Sequence, residues 1–239
     1  MVGKAGSCLF CAIDTVELET ARRLAVQLRG AVGGLKLGLE FFIAHGPVGV
    51  RAVVDASGLP LFIDLKVHDI PNTAAGAVRA AMALKPRFLT IHTSGGTAMM
   101  KAAAETAANE AERLGLTRPH LLGVTVLTSL TDRELYTVGQ AIPVGDQVAR
   151  LAALAQDAGL DGVVCSPHEI AIVRAQSKPG FTIMVPGIRP ASSLYGDQKR
   201  VMTPAQALAA GADYLVVGRP ITQDKDPAEA ARRIAGELQ

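Results

Sequence analysis

The segment Phe62-Ile63-Asp64-Leu65-Lys66-Val67-His68-Asp69-Ile70-Pro71-Asn72-Thr73 gathers two carboxylates, an ammonium group and an imidazole at the end of an apolar run. In a strand, alternate side chains share a face, so Asp64 and Lys66 lie together while Leu65 and Val67 point the other way. Lys36 belongs to a second apolar run, Gly34–Leu37, and Asp69 follows just past the first. If the two runs are neighbouring strands, the order Lys36, Asp64, Lys66, Asp69 alternates in sign, and each cation has carboxylate neighbours that favour its charged form. An opposite pair about 4 Å apart gains roughly 4 kcal/mol at an effective dielectric near 20. Desolvation opposes that gain, so stability alone is a weak reason to keep such a pair in a strand. A buried ion pair that only packs the fold is the plainer reading. Four charges and a following Pro-Asn-Thr turn exceed what packing requires, and point to a catalytic array.

His68 shares the segment, where a loop-orienting role suits it better than direct chemistry. His92 reads as a packed or substrate-adjacent histidine and is left unassigned. His45, His120 and His168 are scattered without a carboxylate-rich partner motif, so no metal site is expected. A second polar cluster lies towards the C-terminus. Val185-Pro186-Gly187-Ile188-Arg189-Pro190 leads into a polar stretch from Ser192 to Arg200, and Val217-Gly218-Arg219-Pro220 closes a last apolar run. Glycine lets backbone N–H groups approach an anion, and arginine adds a bidentate contact, so both loops suit phosphate. The stretch Ala191–Gln198 is long enough to act as a lid.

The elements that must hold these groups are legible. Apolar runs at Leu9–Ile13, Gly34–Leu37, Leu61–Leu65, Phe88–Ile91, Leu121–Leu127, Gly162–Cys165, Thr182–Val185 and Tyr214–Val217 read as parallel strands buried on both faces. Ser166-Pro167-His168-Glu169, Thr203-Pro204-Ala205-Gln206 and Asp226-Pro227-Ala228-Glu229 each combine a capping side chain, proline at the first helical position and Glu or Gln at the third. Thr131-Asp132-Arg133-Glu134 is a capping box without the proline. Ala158–Val164 and Ala210–Val216 echo each other as helix end, glycine stop and buried strand. Strand, loop and helix repeated about eight times predict a single-domain (β/α)₈ TIM barrel over residues 1–239. Chemistry then belongs at the C-terminal ends of the strands, where Asp14, Lys36, Asp64, Lys66, His92, Thr128, Arg189 and Arg219 all fall. A doubly wound open sheet is the alternative, but the first turn, Ile13-Asp14-Thr15-Val16, has no glycine-rich dinucleotide fingerprint.

Composition narrows the class of function. The chain has 239 residues, 49% hydrophobic and 19% charged, which excludes disorder and suits one large α/β unit. A net charge of +2 gives no basic surface for nucleic acid. No apolar stretch is long enough to span a membrane, and the first residues lack a signal-peptide pattern. Three cysteines suit a reducing cytoplasm better than a secreted framework. Cys8-Leu9-Phe10-Cys11 spells C-x-x-C inside what reads as a strand, where packing suits it better than redox or metal chemistry.

Asp64-Leu65-Lys66-Val67-His68-Asp69-Ile70-Pro71-Asn72-Thr73 resembles the signature of the orotidine 5′-phosphate decarboxylase family. The resemblance extends through Ala12-Ile13-Asp14, Leu35-Lys36-Leu37-Gly38, Val124–Ser129, Pro186–Pro190, Gly196-Asp197-Gln198 and Val217–Pro220, and looks like the compact bacterial-type, monofunctional form. It implies decarboxylation of orotidine 5′-phosphate to UMP, the last step of pyrimidine nucleotide synthesis, without metal or organic cofactor. Lys66 would protonate C6 of the pyrimidine, and Asp64 would lie against the substrate carboxylate. Lys36 would hold the array and touch the ribose, and Asp14 would bind a ribose hydroxyl. The substrate-binding run would extend from Asp64 to Thr73, including Leu65, Val67, His68, Ile70, Pro71 and Asn72. Asp69 and Thr73 would serve the neighbouring subunit's site in a homodimer. Thr128 would contact the pyrimidine, and Arg189, Gln198, Gly218 and Arg219 the 5′-phosphate. Another phosphate-binding barrel with an Asp-x-Lys strand, acting on a sugar phosphate, or a nucleotide sensor on the same barrel, are the competing readings.

Overall fold

The computed structural model describes residues 6–190 and 202–238. Eight parallel strands run β1 (Leu9–Ile13), β2 (Gly34–Gly38), β3 (Leu61–Val67), β4 (Phe88–His92), β5 (His120–Val124), β6 (Gly162–Val164), β7 (Thr182–Pro186) and β8 (Tyr214–Val217). Each pairs with the next, and β1 also pairs with β8, from Leu9 opposite Leu215 to Cys11 opposite Val217. That last pairing closes the barrel and removes the open-sheet alternative. The helices between strands are α1 (Leu18–Gln27), α2 (Leu39–Ser57), α3 (Pro71–Ala81), α4 (Gly96–Leu114), α5 (Asp132–Thr137), α6 (Val144–Asp157), α7 (Ile170–Gln176) and α8 (Pro204–Ala209). A short α9 (Arg219–Thr222) and α10 (Pro227–Gly236) follow β8.

Alternation along each strand divides the core in two. Leu9, Cys11, Ile13, Leu35, Leu37, Leu61, Ile63, Leu89 and Ile91 belong to the large layer between strands and helices. Phe10, Ala12, Phe62, Phe88, Leu122, Met184 and Val216 form a separate cluster inside the barrel. Phe10, Phe62, Leu122 and Met184 come from β1, β3, β5 and β7, the alternate-strand layering that lets bulky side chains fill such an interior. Below them Phe88 and Tyr214 meet Phe10 edge-to-face, with centroids 5.3 and 5.8 Å away. Gly34 leaves the space that the Phe10 ring and the Pro60 carbonyl occupy, which a Cβ would overlap. Arg87 closes the floor: its Nη2 donates to Tyr214 Oη at 2.8 Å, and the guanidinium lies 5.3 Å from the Phe88 and Tyr214 ring centres.

The expected helix starts are present, with differences of detail. Thr131 and Thr203 make full capping boxes with Glu134 and Gln206. The Ser166 box with Glu169 opens a 3₁₀ turn rather than α7 itself. Asp226 accepts the Glu229 N–H without a reciprocal bond. Cys8 lies in a 3₁₀ turn ahead of β1, not within the strand, while Cys11 is buried in it. β5 ends at Val124 rather than Leu127: the Thr125 N–H makes its last ladder bond, to the Val164 carbonyl where β6 stops, and the Thr125 hydroxyl donates to the same oxygen. β3 runs on to Val67.

Candidate active site

The charged residues of β1, β2 and β3 converge at the C-terminal mouth of the barrel. Lys36 Nζ stands 3.5 Å from Asp14 Oδ1 and 3.5 Å from Asp64 Oδ2. Lys66 Nζ stands 3.0 Å from both oxygens of Asp64. The sequence Asp14, Lys36, Asp64, Lys66 is therefore a continuous chain of alternating charge. Its centre is the least exposed part, with Lys36 and Asp64 side chains 13% and 14% accessible against 56% for Asp14. Burial works to raise the Asp64 pKa, but the charges of Lys36 and Lys66 and hydrogen bonds from Lys66 and Thr90 outweigh it and hold the carboxyl below its ordinary value. Gly38, paired with Asp64 in the ladder, keeps the space clear: a Cβ there would lie 3.1 Å from Lys36 Nζ.

Asp64 and Lys66 share a side as expected, but not through an even strand. The register between β3 and β4 slips between Ile63 and Val67, and Lys66 takes the left-handed conformation with φ +51°. Leu65 and Val67 pack against the outer hydrophobic layer.

A cavity of about 240 Å³ opens beside the charges. Lys36, Asp64, Lys66 and Thr128 line it together with Val124, Val164 and Val216, and Phe62 belongs to its wall. Two ammonium groups, a carboxylate and an apolar wall thus face one small space. The apolar wall escaped sequence reasoning, since valines in buried strands look the same whether they face a cavity or a neighbour. Cys165 also lines the cavity, and burial first, and then the Glu169 charge, push its thiol pKa up, which disfavours the thiolate.

The β3–α3 connection lies on the outside of this cavity. His68, Asp69, Ile70, Pro71, Asn72 and Thr73 are all exposed. Asp69 Oδ1 accepts the Ile70 N–H at 2.7 Å, and among the described residues Asp69 makes no ion pair, so a single chain does not join it to the array. The His68 and His92 rings stack with centroids 4.9 Å apart. On the far side of the mouth, Gly187 turns with φ +76° after β7, and the Arg189 N–H donates to the Met202 carbonyl. Gly218 precedes α9, whose first residue, Arg219, is exposed and, among the described residues, free of any ion pair. Gln198 and the expected lid, Ala191–Gln198, lie outside the described residues. Among the described residues no three His, Cys, Asp or Glu side chains converge as a metal-ligand set, and no helix is long and apolar enough to cross a membrane.

Comparison with known proteins supplies a family for this barrel. Residues 7–234 match the Orotidine 5′-phosphate decarboxylase / HUMPS family. The chain is 56% identical over 230 residues to the orotidine 5′-phosphate decarboxylase of Rhodospirillum rubrum, covering 96% of this chain and 93% of that one. It is 55% identical to the enzyme of that name from Paramagnetospirillum magneticum, covering 96% and 97%. Among solved structures, the orotidine 5′-phosphate decarboxylase of Lactobacillus acidophilus superimposes with a TM-score of 0.85 at 33% identity, over 97% of this chain and 98% of that one. On the whole-length sequence match and the barrel it shares, this chain belongs to the orotidine 5′-phosphate decarboxylase / HUMPS family.

Proposed function

We propose that the chain removes the carboxyl group of orotidine 5′-phosphate to give UMP, closing pyrimidine nucleotide synthesis, with Lys66 as the proton donor. The observation that carries the reading is the Lys66 ammonium, pinned 3.0 Å from both Asp64 oxygens beside a small, partly apolar cavity. The bond from C6 to the carboxyl carbon breaks, carbon dioxide leaves, and the electron pair stays on a ring carbon with no conjugated sink. Catalysis is then electrostatic and positional. Nζ meets the charge as it develops and transfers one N–H proton to C6; the neutral amine regains a proton from solvent. Asp64 lies against the departing carboxylate and orients Nζ.

Lys36 and Asp14 meet the ribose, and Thr128 the pyrimidine. Arg189, Gln198, Gly218 and Arg219 grip the 5′-phosphate, far from the reacting carbon, where binding energy can hold the ring in place. Asp69 and Thr73 complete the neighbouring subunit's site in a homodimer, and the enzyme works in the cytoplasm without a cofactor. The exposed apolar side chains Ile43, Val48 and Ile70, 80%, 82% and 67% accessible, support a partner surface.

The test is loss of orotidylate ultraviolet absorbance. Lys66→Ala is expected to lower turnover at least about 10³-fold while UMP still binds, a loss at the upper end of what one general acid supplies. Near-normal turnover in that variant would remove Lys66 from its role. Metal-dependent turnover of a sugar phosphate, abolished by EDTA, would favour the competing barrel chemistry.

A further inference from the structure

Thr90 lies in the middle of β4, fully buried, and does not line the cavity. Its hydroxyl nevertheless serves two residues of the charged array. Oγ1 accepts the backbone N–H of Lys66 at 2.8 Å and donates to Oδ1 of Asp64 at 3.0 Å. The slipped register explains why a side chain is needed there. Ile63 pairs with Leu89 and Val67 with Ile91, so Asp64, Leu65 and Lys66 all face the single residue Thr90. A bulge of this kind leaves backbone groups without a ladder partner, and bulges recur where a strand must re-aim a side chain. The extra residues are taken up at Lys66, whose φ of +51° is a backbone conformation that residues with a Cβ avoid. A hydroxyl accepts and donates from one atom, so it satisfies the Lys66 N–H and the Asp64 carboxylate together. The β-branch of threonine restricts χ1, which limits the directions in which that hydroxyl can point.

We infer that Thr90 is a positioning residue for the decarboxylation: it clamps the left-handed Lys66 backbone and the Asp64 carboxylate to one point of β4, and so fixes Nζ against the reacting carbon. It touches neither substrate nor cavity and acts through those two residues. The inference rests on the reading of Lys66 as proton donor. Without the hydroxyl the Lys66 N–H is unpaired, the Asp64 carboxylate can rotate, and Nζ loses its fixed position. Such misplacement lowers the rate of the chemical step more than it weakens binding of a ligand held mainly by its ribose and phosphate.

The experiment compares wild type, Thr90→Val, Thr90→Ser, Thr90→Ala and Lys66→Ala for kcat, KM, UMP affinity and thermal midpoint. Thr90→Val is expected to lower kcat about 10- to 100-fold while KM and UMP affinity stay within about threefold, a split that general loss of packing does not produce. Serine and alanine remove the same methyl group and differ by the hydroxyl alone, so this pair decides the matter even if the valine variant does not fold. Thr90→Ser is expected to keep kcat within about fivefold of wild type and Thr90→Ala to fall well below it. The inference is overturned if Thr90→Ala or Thr90→Val keeps the kcat of the serine variant while Lys66→Ala is inactive. It is equally overturned if serine loses as much as alanine, or if KM rises as steeply as kcat falls. Should Lys66→Ala itself keep turnover, the reading of Lys66 fails first and takes this inference with it.

Discussion

His92 carries the clearest pH signature of any single residue near the array. Its Nδ1 accepts the Ser94 N–H, which leaves the ring proton on Nε2, and its ring stacks on His68. Burial first, then the charges of His68 and Lys66, hold its pKa below the ordinary imidazole value. As pH falls past about 6.5 the unfolded chain takes up a proton there that the folded chain still refuses. The unfolded state then binds more protons, so stability falls with pH in that window. His92→Asn, which cannot be protonated, is expected to lose less thermal midpoint than wild type between about pH 7.5 and pH 5.5. An equal fall in both proteins would show that His92 is not the group responsible. At this scale the sequence was informative where charge interrupts an apolar run: Lys36, Asp64 and Lys66 stand out because ionised groups are rare in buried strands. Thr90 stayed hidden for the opposite reason. A threonine within Phe88–His92 reads as an ordinary β-branched strand residue, and nothing in strict alternation announces the bulge that gives its hydroxyl two partners.

Among the elements, the echo between Ala158–Val164 and Ala210–Val216 is structural. Gly159 and Gly211 both turn with positive φ, at +84° and +109°. Asp161 Oδ2 then accepts the Leu121 N–H and Oδ1 pairs with Arg118 at 2.6 Å. Asp213 Oδ2 accepts the Ile183 N–H and pairs with Arg174 at 2.6 Å. In each case an aspartate just ahead of one strand accepts the N–H of the second residue of the strand beside it, closing the ladder where the helix has just ended. Asp161→Ala is expected to lower stability by about 1–3 kcal/mol, because it leaves the Leu121 N–H and the Arg118 guanidinium without their acceptor. Chemical denaturation reads that loss, and kcat should not change, since this end of the barrel is opposite the cavity. A drop in kcat with unchanged stability would contradict that division. Strand and helix positions were legible because parallel strands are short and apolar and the caps are explicit. Strand ends were not: β6 stops at Val164 and offers β5 no pair beyond Val124, and the length of a neighbouring strand does not show in a segment's own composition.

For the molecule as a whole, eight alternating units made the barrel legible, whereas any contact of Asp69 with a second copy was not, because one chain's periodicity carries no mark of what lies across an interface. If Asp69 serves the neighbouring site, Lys66→Ala and Asp69→Ala should each be nearly inactive alone, yet a dissociated and reassociated mixture should recover activity. One competent site in each hybrid dimer predicts roughly a quarter of the wild-type rate. A mixture no better than its parents would exclude a shared site. The aromatic floor has a further consequence. With Phe10, Phe88 and Tyr214 packed edge-to-face and Arg87 laid beneath them, the N-terminal end of the barrel is filled with side chains. With its floor stoppered by aromatic rings, the cavity depends on the loops that follow the strands for entry and exit, so changes in those loops, rather than in the floor, should alter how fast ligands come and go.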